Sequence, residues 1–279
     1  MIKIKHLLKT YFPILRKIKY ILRSIILRNN LEDIEFHIVD NCNLNCNGCF
    51  QFSNISKKCN FVDARILGRR LERINKLFTL EQITVFGGEP LLHPDIINIL
   101  KITRRYLPFS KIELLTNGTL LNKMSQEFFE TCYKNKVNIS ITAYPVLNNI
   151  DELKKILSSF KINYEFLPKV FTFEAHMNPN GNSNQEYTFK KCKHRFGKIL
   201  KGDYLYICPT CAYIDIYNDY FNKNIPVGEG INIFLNSSKQ IFDYLKTPEE
   251  TCKYCTAVSN YFDWSCSNKP KETDWYGKI

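Results

Sequence analysis

Residues 35–50 read EFHIVDNCNLNCNGCF. A β-rich run, EFHIV, empties into a loop that sets Cys42, Cys46 and Cys49 at C-x3-C-x2-C spacing. A structural zinc ion wants four ligands in a closed tetrahedron, and a cubane iron–sulfur cluster has four irons to hold. Three thiolates in one loop therefore leave one metal corner open to another ligand. The competing reading is a zinc loop, whose fourth ligand would have to be His37, inside the strand, or Cys59. Closed zinc sites usually pair two C-x2-C elements, and this loop has no such pair.

Outward from this loop the chain alternates between short β-rich runs and amphipathic helical stretches. Strands are expected at 35–39, 82–88, 111–118, 137–144 and 162–167, with helices between them at 63–77, 93–107, 123–135 and 149–160. Such alternation predicts an α/β fold with a parallel sheet and right-handed crossovers, open or closing into a barrel. Ligands in that architecture sit at the C-terminal strand ends. The unusual residues fall there: the triple cysteine after the first strand, GGEP (87–90) after the second, TNGT (116–119) after the third and AYP (143–145) after the fourth.

The chain has 279 residues, 44% of them hydrophobic, enough for one large domain or a large and a small one. Its formal charge is +12, but residues 1–30 hold eight Lys/Arg and no acid, so two-thirds of the excess lies in that segment. The remainder lacks a basic face interleaved with aromatics, which argues against a nucleic-acid partner. Residues 1–31 read as a basic amphipathic helix, with Ile14, Ile18, Ile21, Leu22, Ile25 and Ile26 on one face and Arg16, Lys17, Lys19, Arg23 and Arg28 on the other. That pattern serves equally for peripheral contact with an anionic membrane and for closing the bottom of the main domain. No export signal or spanning segment is read in it, so the location expected is cytoplasmic, with membrane contact on the inner face. The eleven cysteines are then reduced, and clusters of them point to metal.

CNLNCNGC, GGEP and TNGT, in this order on successive strand ends, resemble the radical S-adenosylmethionine (radical SAM) superfamily over residues 35 to about 170. The resemblance implies a partial (β/α)6 TIM-like barrel in which a 4Fe-4S cluster, held by Cys42, Cys46 and Cys49, binds SAM at its free iron. It implies also that the backbone of Gly87 and Gly88, together with Glu89, meets the methionyl amine, and that Asn117 and the Ser140 region meet the ribose. Many members carry a large apolar residue before the third cysteine, where it packs on adenine; here that residue is Gly48, and the contact passes to Phe50. A reductant such as flavodoxin or ferredoxin is implied as partner.

The chemistry changes past NPNGNSNQ (178–185), a polar linker, giving units at 32–180 and 181–279. Cys192, Cys208, Cys252 and Cys255 in the second unit are similar to the twitch domain, the short relative of the SPASM domain, whose four cysteines hold an auxiliary 4Fe-4S cluster. A zinc ribbon is the structural alternative. Cys211 could replace Cys208 as ligand or donate a hydrogen atom to substrate, and Cys266 could take either role or none. Cys59 and Cys132 read as structural. The quoted segments most resemble a bacterial group accompanying capsule and lipopolysaccharide gene sets, implying a small sugar or glycan substrate that is oxidised or epimerised. Tyr144, Lys169, Glu174 and His176 are the candidates for substrate contact or proton transfer. Peptide modification, as by other twitch and SPASM enzymes, and a non-catalytic iron–sulfur or zinc protein are the alternatives.

Overall fold

The computed structural model describes Ile18, Ile21, Leu22, residues 29–57 and residues 59–278. Most of the expected N-terminal helix lies outside the described residues; Ile18, Ile21 and Leu22 are helical and exposed. Among the described residues no helix is long and apolar enough to cross a membrane.

The α/β alternation is borne out. Strands β1 (Asn30–His37), β2 (Thr79–Phe86), β3 (Lys111–Thr116), β4 (Val137–Thr142) and β5 (Tyr164–Leu167) pair in parallel in chain order. Helices α1 (Ala64–Leu77), α2 (Ile96–Tyr106), α3 (Gln126–Lys134) and α4 (Ile150–Ser159) make the crossovers. Each helix forms because its apolar residues recur on one stripe. In α1, Leu67, Leu71 and Ile74 are buried, and Asp63 caps the N-terminus by accepting from the backbone N–H groups of Arg65 and Ile66. The strands are apolar where they face those helices: Ile34, Phe36, Ile83, Val85, Ile112, Leu114, Ile139 and Ile141 are all buried. Truncating one such Ile or Leu to Ala costs about 2–5 kcal/mol.

The sixth strand in chain order leaves this sheet. β6 (Thr172–Met177) pairs antiparallel with the much later β10 (Cys255–Asp263). Past helix α5 (Gln185–Lys191), β7 (Ile199–Lys201) instead takes the free edge of β1 in parallel, and β8 (Tyr204–Tyr206) and β9 (Ile231–Asn232) extend it antiparallel. Helices α6 (Pro209–Phe221) and α7 (Ser238–Tyr244) complete this half. Leu200, Leu205, Ile207 and Ile241 from it join the same apolar core as the parallel strands.

The contact that positions the cysteine loop is backbone on backbone. Pairing of β1 with β2 continues past both strand ends: Gly88 N–H donates to Val39 O and Glu89 N–H to Asn41 O, each at 2.9 Å. A Cβ on Gly87 would stand 2.4 Å from Val39 O, and one on Gly88 2.1 Å from Asn41 O. The two glycines are thus required by the close approach of the loop itself. Gly88→Ala is expected to cost about 1–3 kcal/mol in urea unfolding, because the backbone it meets cannot swing aside; wild-type stability in that variant would show the approach to be loose.

At the end of β1, His37 stacks on Tyr213 at 4.1 Å and lines a cavity of about 180 Å³ apart from the cysteine loop, so it is no ligand there. Burial, with the nearby Lys201 charge, lowers its pKa to about 3. Since the folded pKa lies below the unfolded value, the contribution is present above about pH 6.5 and lost as pH falls toward the folded pKa. On going from pH 7 to pH 5, His37→Phe should therefore retain about 2 kcal/mol more stability than wild type, whose His37 must stay neutral. Equal losses in the two proteins, measured by urea unfolding, would refute that burial.

Candidate active site

Cys42, Cys46 and Cys49 all line one cavity of about 330 Å³ at the C-terminal ends of the parallel strands. Gly87, Gly88 and Glu89 from the end of β2, Thr116 and Asn117 from β3, Thr142 and Tyr144 from β4, and Thr172 to Glu174 of β6 form the rest of its wall. β6 reaches this position because its pairing with β10 carries it off the sheet edge and over the strand ends.

Each of the three sulfurs accepts N–H groups. Leu44 N–H lies 3.4 Å and Asn117 Nδ2 3.8 Å from Cys42 Sγ, and Trp264 Nε1 donates to Cys46 Sγ at 3.3 Å. Backbone N–H groups of residues 51–54 surround Cys49. Burial, with charge from Cys49 and Glu89, still pushes the Cys42 thiol up to about 12, and burial first and then Cys49 raises Cys46. Three thiols wrapped by N–H donors, yet short of positive charge, fit a cationic iron–sulfur cluster. Among the described residues no group of three or more His, Cys, Asp or Glu side chains stands in the geometry of a single-ion site, and the fit rests on donor chemistry.

The loop is held from outside by the C-terminal segment. Cys46 and Cys266 form an antiparallel β-bridge, and Trp275 Nε1 donates to Cys49 O at 2.9 Å. Gly48 has φ +65°, and a Cβ there would stand 2.5 Å from Asp274 O and 2.7 Å from the Phe262 ring. The space that a large residue before the third cysteine would fill is taken by this segment.

Glu89 is fully buried. Its carboxylate accepts from Thr116 Oγ1 at 2.7 Å, Asn117 N–H at 2.9 Å and Leu91 N–H at 3.1 Å, while burial lifts its pKa to about 7. A cationic group in the cavity would bring it back to its charged form. Asn117 is fixed by Nδ2 donating to Asn43 Oδ1 at 2.9 Å. Phe50 lines the cavity, stacks on His176 at 4.5 Å and meets His194 at a tilt at 4.2 Å. Glu174 accepts from His194 Nε2 at 2.9 Å.

Several expected residues sit elsewhere. Ser140 is buried, donates to Glu113 Oε1 at 2.7 Å and does not line the cavity, because it faces the neighbouring strand. Lys169 is exposed and also outside the lining. His176 shares a hydrogen bond with Thr210 Oγ1 at 3.0 Å, and burial lowers its pKa to about 3. It lines a second, smaller cavity of about 20 Å³ together with Cys192, Cys208, Cys211, Cys252 and Cys255. Cys211 therefore stands with the second cysteine group and not at the first cavity as a hydrogen donor. Its thiol is hydrogen-bonded to Cys208 and Cys252, which raises its pKa and lowers that of Cys252, and burial pushes Cys192 up to about 11. Four or five thiols of this kind fit a metal centre chemically; the space as it stands is that of one water molecule, so a cluster would spread them. Cys132 is buried within α3 and Cys59 is exposed.

Sequence reasoning missed Trp264, Gln51 and Phe173. Gln51 and Phe173 line the first cavity, and Gln51 Oε1 is buried without a partner among the described residues. Trp264 stacks on Tyr144 at 5.4 Å as well as meeting Cys46. Only DWSC, with its bulky residue beside a cysteine, gave any hint of it.

Residues 36–167 match the Radical SAM superfamily model. The GTP 3',8-cyclase of Staphylococcus carnosus is 26% identical over 118 residues, 40% of this chain and 34% of that protein. The probable GTP 3',8-cyclase of Methanocaldococcus jannaschii is 23% identical over 263 residues, 84% of this chain and 83% of that protein. The chain thus spans about a third of the first relative and most of the second. Among solved structures, BtrN in complex with AdoMet and 2-DOIA aligns with a TM-score of 0.48 at 16% identity, covering 81% of this chain and 92% of that one. Three thiols and the Gly87–Gly88–Glu89 turn thus meet at one cavity inside residues 36–167, the span that is similar to the radical SAM superfamily.

Proposed function

We propose that this chain cleaves S-adenosylmethionine reductively at a 4Fe-4S cluster held by Cys42, Cys46 and Cys49, and oxidises a small polyhydroxylated substrate, a sugar or glycan intermediate. What carries the reading is the set of three N–H-bonded thiols on one cavity with Gly87, Gly88, Glu89 and Asn117. When bound, the cluster and SAM would supply a 5′-deoxyadenosyl radical that takes a hydrogen atom from the substrate. Glu89 is placed to hold the methionyl ammonium, Asn117 a ribose hydroxyl and Phe50 the adenine edge. Residues 181–279 would hold a second, auxiliary 4Fe-4S cluster through Cys192, Cys208, Cys252 and Cys255, with Cys211 as a neighbouring thiol.

The substrate class follows from the wall. No Lys or Arg is among the described residues lining the cavity, whose ionisable groups besides the thiols are Glu89, Glu174 and Tyr144. A nucleoside triphosphate, such as the names of the relatives suggest for them, would find no countercharge there. An uncharged or amino-bearing polyol suits it better: Gln51 Oε1 and Glu174 accept from hydroxyl or ammonium groups, and the faces of Tyr144 and Phe173 cover ring carbons. Oxidation is favoured over epimerisation because no thiol beyond the three of the loop lines this cavity among the described residues.

After anaerobic loading with iron and sulfide and then reduction, wild type should form 5′-deoxyadenosine from SAM while Cys46→Ala stays at background; no product from a protein with an intact cluster would end the proposal. Amino and neutral sugars should raise the yield, and GTP should leave it unchanged. Trp264→Phe, which removes one N–H from the Cys46 sulfur, should keep its iron and lower the cluster's midpoint potential, as followed by redox titration.

A further inference from the structure

Cys266 is outside the roles assigned so far, and its position is unusual. Asn47 N–H donates to Ser265 O and Ser267 N–H to Asn45 O, each at 2.9 Å, on either side of the Cys46–Cys266 bridge. These two bonds make Cys46 and Cys266 the non-hydrogen-bonded pair of an antiparallel ladder. Such pairs bring their Cα atoms to about 4.5 Å, with both side chains on one face. That lies within the span of about 4.4–6.8 Å that a disulfide bridges. Side chains pin the register: Asn45 Nδ2 donates to Asn268 Oδ1 at 2.8 Å and Asn47 Nδ2 to Ser265 Oγ at 3.1 Å. Charge on Cys266 also reaches Cys46 and helps to raise its pKa.

We propose that Cys46 and Cys266 are an oxidisable pair: in protein lacking the cluster they join as a reversible cross-strand disulfide, which withdraws Cys46 from the cluster-binding set until it is reduced. The withdrawal rests on the reading of Cys46 as a cluster ligand; the disulfide itself does not. The two cysteines differ in access, Cys266 being exposed and Cys46 buried, and this sets the order of events. The Cys266 thiolate attacks a small disulfide such as oxidised glutathione, forming a mixed disulfide and releasing one thiol. The Cys46 thiolate then attacks the Cys266 sulfur and releases the second. Two protein thiols lose two electrons and two protons, and the oxidant's sulfur–sulfur bond is reduced to two thiols. Bound to iron, Cys46 has no free thiolate to complete the second step.

The test uses the full chain, metal-free and iron-loaded, incubated anaerobically with oxidised glutathione and mapped by peptide mass spectrometry. In the metal-free protein a peptide pair joined through Cys46 and Cys266 is expected, absent from Cys266→Ser and retained in Cys59→Ser. After oxidation the wild type should take up iron at the first site only once dithiothreitol is added, whereas Cys266→Ser should take it up without. Pairing of Cys46 with Cys42 or Cys49, or recovery of Cys266 only as its glutathione adduct, overturns the proposal. Loading with iron should slow formation of the joined peptide by about ten-fold or more. An unchanged rate in protein that holds its iron would leave the disulfide standing and remove Cys46 from the cluster ligands.

Discussion

The architecture turns on a contact too small to carry a side chain. Where β1 and β2 end, the backbone at Val39–Asn41 lies against Gly87 and Gly88 so closely that a methyl group on either glycine would overlap a carbonyl oxygen. The cysteine loop therefore inherits the rigidity of the parallel sheet instead of hanging from it as an ordinary connection. Glu89 is drawn under the loop by the same pairing, and its hydrogen bonds to Thr116 and Asn117 tie in the end of β3. One short stretch of shared backbone thus sets the relative positions of thiols, carboxylate and amide.

The second support comes from the far end of the chain. The segment around Trp264 to Trp275 lies along the outside of the loop, donating to the Cys46 sulfur and to the Cys49 carbonyl and filling the space beside Gly48. The loop is held on its inner side by residues nearly 50 positions away and on its outer side by residues more than 200 positions away. Its formation depends on long-range closure, and the whole chain has to fold before the thiols are in place.

Much of this was legible in the sequence because it is periodic or locally spaced. The alternation of β-rich and amphipathic runs follows from one-dimensional patterning, and so do Cys42, Cys46 and Cys49, whose spacing is a single loop's geometry. The joining of Cys192 and Cys208 to Cys252 and Cys255 on one cavity was readable only through resemblance. What escaped reading is what depends on distant pairing. Nothing in the stretch TFEAHM (172–177) says that β6 would leave the sheet for β10, and that displacement is why Glu174 reaches the first cavity while His176, two residues on, faces the second. Ser140 failed for a related reason: a buried strand hydroxyl is as readily claimed by a neighbouring carboxylate, here Glu113, as by a ligand. Cys211 was open in sequence between a place beside Cys208 and one near the substrate, and it lies beside Cys208 because the first turn of α6 folds it back toward that residue.

Phe50 stands between the two cysteine groups, with one side on the first cavity and its ring against His176 and His194, which line the second. A partition one ring thick ties the evolutionary histories of the two sites together. A lineage that enlarged the first cavity by shrinking this residue would open it to the second cysteine-lined cavity in the same step, and shrinking Tyr144 on the opposite wall would unseat Trp264 from the Cys46 sulfur, so the cavity has little freedom to grow on either side.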